Sequence, residues 1–357
     1  MIPHMNYKAG GDVRIVMLTS CQSGCDFCHL EGHKHTNEVG QLNPALSGWK
    51  TRKGSLEHKL DNLFTKEDAM MAMLIAKNVG LHKMHLTGGE PTLSPHIEQI
   101  IELFTDNGFE VGITTHGEFS QEKISKLIDA GVRSINFSLH AINAEQYLAM
   151  DLIAQGIAIK NSKEAALQYA KRRIDQKLAN IKFACEYAKQ DRRIKVKANC
   201  VVRTATTAEQ IVLWCNDQKV DIRLQRDLND KEKSEVEISK VIKSLDAQAI
   251  RQDIAIGDSS GSGKEYRHKG GLFKVKSFGE VYVSEMCSAC PLLGKKHCRE
   301  RFYGLRIEHE KVTTCIDVQN QQTSFSFEEF LNKLSKNEGV PGEIREQYAA
   351  MRRFSEK

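Results

Sequence analysis

Short apolar runs alternate with helix-like stretches along most of this chain, and each run ends on small, polar or metal-binding residues. The strand-like runs lie at 13–18, 83–86, 110–113, 134–138, 194–202 and 221–225. Helical patterns lie between them at 97–105, 122–130, 144–189 and 208–216. A further helix is expected from Thr65, where Thr-Lys-Glu-Asp supplies an N-cap followed by early acids. Strands alternating with helices predict parallel βαβ units, about six of them, in an α/β fold. Such sheets carry their ligand loops at the C-terminal ends of the strands. Cys21, Gly88, Thr115 and Ser138 all fall at such ends, so one site can collect them.

The 357 residues suffice for one large catalytic domain and an appendage. The expected division is a core over 1–226, a linker over 227–265, and a C-terminal region over 266–357 with short strands at 273–275, 281–283 and 303–308. The linker is charged and ends in the Gly/Ser-rich stretch 257–264, which reads as flexible. Residues 31–60 read as a long polar loop. The apolar stretch 15–18 is too short for a signal peptide, and no apolar run is long enough to span a membrane. A cytoplasmic protein is expected. The net charge of +5 is too mild to imply nucleic-acid binding. The basic clusters 171–173 and 192–197 are expected to be solvated helix and strand ends.

Seven of the 10 cysteines fall in two groups: Cys21, Cys25 and Cys28, then Cys287, Cys290, Cys298 and Cys315. In a reducing compartment, grouped cysteines point to metal or catalysis. Cys185, Cys200 and Cys215 stand apart and read as small buried hydrophobes. Three thiolates spaced Cys-x3-Cys-x2-Cys can hold three corners of an iron–sulfur cubane and leave one iron open. A zinc site is the competing reading.

Cys21-Gln22-Ser23-Gly24-Cys25-Asp26-Phe27-Cys28 resembles the signature of the radical S-adenosylmethionine (SAM) enzymes, including the aromatic residue before the third cysteine. Thr87-Gly88-Gly89-Glu90-Pro91 resembles the segment by which that family meets the SAM amino group through backbone and carboxylate, and glycines permit so close an approach. Thr115 and Ser138 match strand-end positions that contact SAM in the family, or are ordinary loop caps. Within the superfamily the chain is similar to the GTP 3',8-cyclase branch. Cys28-His29-Leu30-Glu31-Gly32 and Thr114-Thr115-His116-Gly117 follow its pattern, with His116 where asparagine is usual, and Arg14 matches an arginine of the cyclase site. The resemblance covers about residues 12–318. It implies a partial (β/α)6 TIM-like barrel with a small C-terminal cluster-binding domain. It also implies a [4Fe-4S] cluster with SAM on its open iron, and electrons from a flavodoxin- or ferredoxin-type donor.

In the second group, Cys287, Cys290 and Cys315 fit the three cysteines of the cyclases, and Cys298 is extra. A fourth thiolate would fully ligate a second [4Fe-4S] cluster; otherwise Cys298 stays off it, or the group is a four-cysteine zinc site. Arg301 and Arg306 nearby suit a phosphate or carboxylate, with surface salt bridges as the plainer reading. Two features depart from the cyclases. No arginine follows shortly after Gly88-Gly89-Glu90-Pro91, and the chain ends in Ser355-Glu356-Lys357 where cyclases end in a Gly-Gly tail. The expectation is a radical SAM enzyme acting on a small anionic, nucleotide- or nucleoside-derived molecule, with no membrane or nucleic-acid partner. Maturation of a ribosomally made peptide is the competing reading. The bond changed, the fate of SAM and the oligomeric state are not legible in the sequence.

Overall fold

The computed structural model describes residues 4–9, 11–28, 62–277, 281–288, 290, 292, 298, 302–316, 318 and 320–355. The loop expected at 31–60, the motif residues His29 to Gly32, and Arg301 lie outside them.

Strand β1 (His4–Ala9) precedes β2 (Val13–Val16), which leads into the first cysteine group. Helix α1 (Lys66–Val79) starts at Thr65 as its capping pattern predicts. Thr65 Oγ1 accepts from the Asp68 N–H at 3.1 Å, and the Asp68 carboxylate accepts from the Thr65 N–H at 2.8 Å. Next come β3 (Lys83–Thr87), α2 (Ile97–Asp106), β4 (Glu110–Thr115), α3 (Gln121–Asp129) and β5 (Val132–Ser138). The helical stretch expected over 144–189 is three helices: α4 (Ala144–Met150), α5 (Leu152–Lys160) and α6 (Lys163–Gln190). Asp151 makes the first break by capping α5, and Ser162 caps α6. Then follow β6 (Lys195–Val202), α7 (Ala205–Asp217), β7 (Asp221–Arg226), α8 (Lys231–Ser244), β8 (Gln248–Ile256), β9 (Gly263–His268) and β10 (Gly271–Lys276). A short α9 (Ser284–Cys287), β11 (Arg306–Glu308), β12 (Lys311–Thr313), β13 (Ser324–Ser326), α10 (Phe327–Lys336) and α11 (Gly339–Ser355) complete the described chain.

Among the described residues the strands form one sheet in the order β1-β8-β9-β10-β7-β6-β5-β4-β3-β2-β11-β12-β13. Strands β2 to β7 are parallel neighbours, as the sequence predicts. Strand β10 extends this run beyond β7, and β11 extends it beyond β2, both in parallel. The apolar positions Ile15, Leu86, Ile113, Phe137, Ala198 and Leu224 are buried under the helices. Their neighbours in sequence face the opposite side, where the sheet curls around a cavity.

The stretch 227–265, expected as a linker, is instead built into this sheet. Its charged residues cover α8, which buries Ser234, Ile238 and Val241, and the antiparallel pair β8–β9. The Gly/Ser-rich segment is a tight buried turn: Asp258 is fully buried and accepts from the Ser260 N–H at 2.9 Å and from the Tyr348 hydroxyl of α11 at 2.9 Å. A partner contributed from so far along the chain leaves no local signal. Residues 281–283, expected as a strand, form no strand. No helix among the described residues is long and apolar enough to cross a membrane.

Candidate active site

The parallel strands carry polar residues on their inner face. His85 and Thr87 come from β3, Thr114 from β4, Asn136 and Ser138 from β5, Lys197 and Asn199 from β6, and Arg223 and Gln225 from β7; Lys274 and Lys276 come from β10. A closed barrel of this kind normally fills its interior with branched apolar side chains. Here the interior is a cavity of about 760 Å³. Its walls include Cys21, Cys25, Cys28, Arg14, Thr87, Gly88, Gly89, Glu90, Thr115 and Ser138, so those sequence-predicted residues meet in one place.

The cysteine loop is held from both flanks. On one side, Asp151 accepts from the Gly24 N–H at 2.8 Å, the Gly24 carbonyl accepts from the Leu152 N–H at 2.8 Å, and the Asp26 N–H donates to the Met150 carbonyl at 3.0 Å. From α6, Arg173 donates to the Gln22 carbonyl at 3.2 Å. Arg173 also pairs with the buried Glu118, which Lys177 meets at 2.9 Å. The 171–173 cluster is therefore not wholly a solvated helix end, since Arg173 turns inward. Burial alone would raise the Glu118 pKa, but Lys177, His116 and Arg173 outweigh it and hold that carboxyl below its ordinary value. Burial, then Glu90 and Cys28, push the Cys21 thiol up to about 12. Burial, then Cys28 and Cys21, raise Cys25 as well. The three thiols converge closely enough to repel as thiolates, and a metal binding there would displace their protons.

The glycine pair lies directly against this loop. The Gly89 N–H donates to the Leu18 carbonyl at 2.8 Å, and the Glu90 N–H to the Ser20 carbonyl at 2.8 Å. Gly88 sits at φ +118°, and a Cβ on Gly89 would lie 2.1 Å from the Ser20 oxygen. Glu90 is buried and oriented by four donors: the Thr92 N–H at 3.2 Å, the Thr92 hydroxyl at 2.6 Å, the Thr115 hydroxyl at 2.7 Å and the His116 N–H at 2.8 Å. Thr115 thus supports Glu90. Pro91 is buried at the start of a 3-10 turn and is not among the residues lining the cavity. Phe27 packs edge-on against His140, with ring centroids 4.7 Å apart. Burial pushes the His140 pKa down to about 3, so that ring is neutral, and its Nδ1 accepts from the Val201 N–H at 3.1 Å.

The residues that sequence reasoning missed are four cations of the lumen, Lys197, Arg223, Lys274 and Lys276, which join the expected Arg14 there. Lys197 lies within the 192–197 cluster expected to be solvated, yet it points into the barrel. Burial, then Arg223, lower its pKa to about 8. Burial also lowers Arg223, with Arg14 adding to it. Lys274 pairs with Asp253. On the neighbouring wall, Lys276, Arg14 and Arg306 stand 4.1, 5.0 and 5.6 Å from the Tyr303 ring centroid. Arg306 is buried on β11 beside Arg14 of β2 and stands over the Tyr303 ring; it is not among the residues lining the cavity.

The residues present fit the implied cofactors. Ser23 Oγ, Asn136 Oδ1 and Asn199 Oδ1 are buried on the cavity wall without a protein partner, a state that calls for a bound group. Among the described residues, no three His, Cys, Asp or Glu side chains converge on a single-ion site. Away from this cavity, the second group gathers as well: Cys298 and Cys290 lie near enough to Cys287 to raise its pKa, after burial. The Thr314 hydroxyl meets Met286 Sδ at 3.4 Å, which brings the residue before Cys315 beside the residue before Cys287.

A family model described as the radical SAM superfamily matches residues 15–189. The chain carries a radical SAM domain. The match spans the cysteine loop, the Gly-Gly-Glu turn and the strand ends at Thr115 and Ser138. A "Probable GTP 3',8-cyclase" of Saccharolobus islandicus is 31% identical over 153 residues, 41% of this chain and 42% of that protein. One from Sulfolobus acidocaldarius is 32% identical over 133 residues, 37% and 35% of the two chains. The chain therefore matches less than half the length of these relatives. The crystal structure of Streptococcus suis SuiB bound to S-adenosylmethionine superposes with a TM-score of 0.54 at 15% identity, covering 94% of this chain and 67% of that one. That likeness is one of fold, and it agrees with the partial barrel.

Proposed function

We propose that this radical SAM enzyme cleaves SAM reductively and uses the 5'-deoxyadenosyl radical to abstract hydrogen from a small anionic substrate, nucleotide- or nucleoside-derived. The observation that carries this reading is the lumen, where the cysteine loop and Gly-Gly-Glu turn stand at one end of a cavity lined by Arg14, Lys197, Arg223 and Lys276. When bound at Cys21, Cys25 and Cys28, a [4Fe-4S] cluster supplies the electron that breaks a sulfur–carbon bond of SAM. Gly88, Gly89 and Glu90 would receive the amino end of SAM, with Thr115 keeping the carboxylate in place and Ser138 facing the cavity. The cations would hold the substrate anion and so fix its distance from the reacting atoms, the main contribution a protein makes to such a step. Arg306 would act through Tyr303, and Arg301 remains an anion contact proposed from sequence alone. A second [4Fe-4S] cluster on Cys287, Cys290, Cys298 and Cys315, and a flavodoxin- or ferredoxin-type donor, belong to the same reading.

Calorimetric titration with nucleoside mono-, di- and triphosphates tests it. Affinity should rise with phosphate number and fall in Lys197→Met and Arg223→Met. Indifference to every nucleotide, with tight binding of a short precursor peptide, would replace it with the maturase reading.

A further inference from the structure

The two cysteine groups are far apart in sequence, yet one short turn touches both. After β7 the chain turns through 227–230, and Lys231 opens α8. The Asn229 side-chain amide donates to the carbonyl of Phe27, the residue before Cys28, at 3.2 Å. Two residues later, the Lys231 ammonium donates to the carbonyl of Cys298 at 2.7 Å. The turn is itself tightly fixed. Asp227 is buried and accepts from the Asn229 N–H at 2.8 Å, while its own N–H donates to Ser234 Oγ at 3.0 Å. The Ser234 hydroxyl donates to the Val202 carbonyl at 2.6 Å, anchoring the turn to β6. Arg203, just past β6, pairs with Asp26 in the cysteine loop and approaches Asp227 at 3.7 Å.

We propose that the 227–231 segment is a mechanical bridge between the two centres, with Asn229 and Lys231 as positioning residues that let the loading of the second cysteine group stiffen the first. This rests on the second cluster of the proposed function. Coupling between sites needs a contiguous, rigid element that both bias. Here that element is a turn pinned to β6 and α8, holding one carbonyl from each loop. Neither contact is a metal ligand, so the bridge can be cut without removing a donor.

The test uses the full-length Cys21→Ala/Cys25→Ala/Cys28→Ala variant, in which iron can load only the second group. Reconstitution should leave about four irons per chain. Loading should then slow amide exchange across 21–28 by about fivefold, the lower end of coupling between sites. Adding Asn229→Ala or Lys231→Met should abolish that slowing at unchanged iron content, and Lys231→Arg should restore it. Four irons with exchange in 21–28 indifferent to loading overturn the bridge while leaving the second cluster standing. Loss of all iron from the triple variant overturns the second cluster, and the bridge with it.

Discussion

Replacing Gly89 with alanine is the sharpest steric perturbation available at this site. The added Cβ would lie 2.1 Å from the Ser20 oxygen, 2.5 Å from the Ser20 carbonyl carbon and 2.7 Å from the Thr19 oxygen. All three are backbone atoms, so no rotamer change relieves the clash. Either the Gly-Gly-Glu turn or the segment entering Cys21 must move, breaking the Glu90 N–H bond to the Ser20 carbonyl. Overpacking of a fixed site costs about 1–3 kcal/mol, and backbone contacts place this case near the upper end. About 3 kcal/mol should lower Tm by roughly 4 °C in a chain of this size. SAM affinity in the reconstituted protein should fall at least tenfold, because the displaced residues are those proposed to receive its amino group. Gly156→Ala is the control. That glycine lies within α5 with nothing inside 4 Å of the added carbon, so the substitution should stabilise the helix by about 0.5–1 kcal/mol. Differential scanning calorimetry and SAM titration read both variants. A Gly89→Ala protein with wild-type Tm and wild-type SAM affinity would refute the close approach.

Lys177→Met should destabilise the fold by about 3 kcal/mol, because it leaves Glu118 buried with one cation fewer, and Glu118→Gln added to it should recover most of the loss. Glu118 is held below its ordinary pKa, so its contribution is intact above the unfolded-state value and is lost as pH falls through the lowered one. The acid-unfolding midpoint, followed by circular dichroism, should therefore move up in Lys177→Met; an unchanged midpoint would contradict the pairing. Lys197, with its pKa lowered to about 8, carries its charge below that pH and sheds it above. Pyrophosphate affinity measured by calorimetry should weaken between pH 7 and pH 9 in the wild type, while Lys197→Met should show neither the higher affinity nor that step.

The strand ends were legible because they carry residues with few other uses: Cys21, Cys25 and Cys28, and the Gly88-Gly89-Glu90 turn. The basic lumen was not. Lys197 and Asn199 alternate with Val196, Ala198 and Cys200, and period-2 alternation is the same whether the polar face meets solvent or a polar cavity. Composition could not separate the two, and only the curl of the sheet around the cavity does. For a related reason, Arg173 leaves no local signal of its inward turn. It stands beside the exposed Lys171 and Arg172, and its partners Glu118 and Gln22 come from other parts of the chain. The 227–265 stretch looked like a linker because Asp258 and the surrounding serines are polar, although Tyr348 of α11 buries and bonds that carboxyl.

Everything proposed for this cavity depends on Cys21, Cys25 and Cys28 holding a cluster that cleaves SAM. Chromatographic measurement of 5'-deoxyadenosine from anaerobically reconstituted, dithionite-reduced protein tests it most directly. The wild type should form the product, and Cys21→Ala, Cys25→Ala and Cys28→Ala should each form none. Undiminished SAM cleavage by any one of the three variants, or none by the iron-loaded wild type, would rule out a SAM-cleaving cluster on these cysteines.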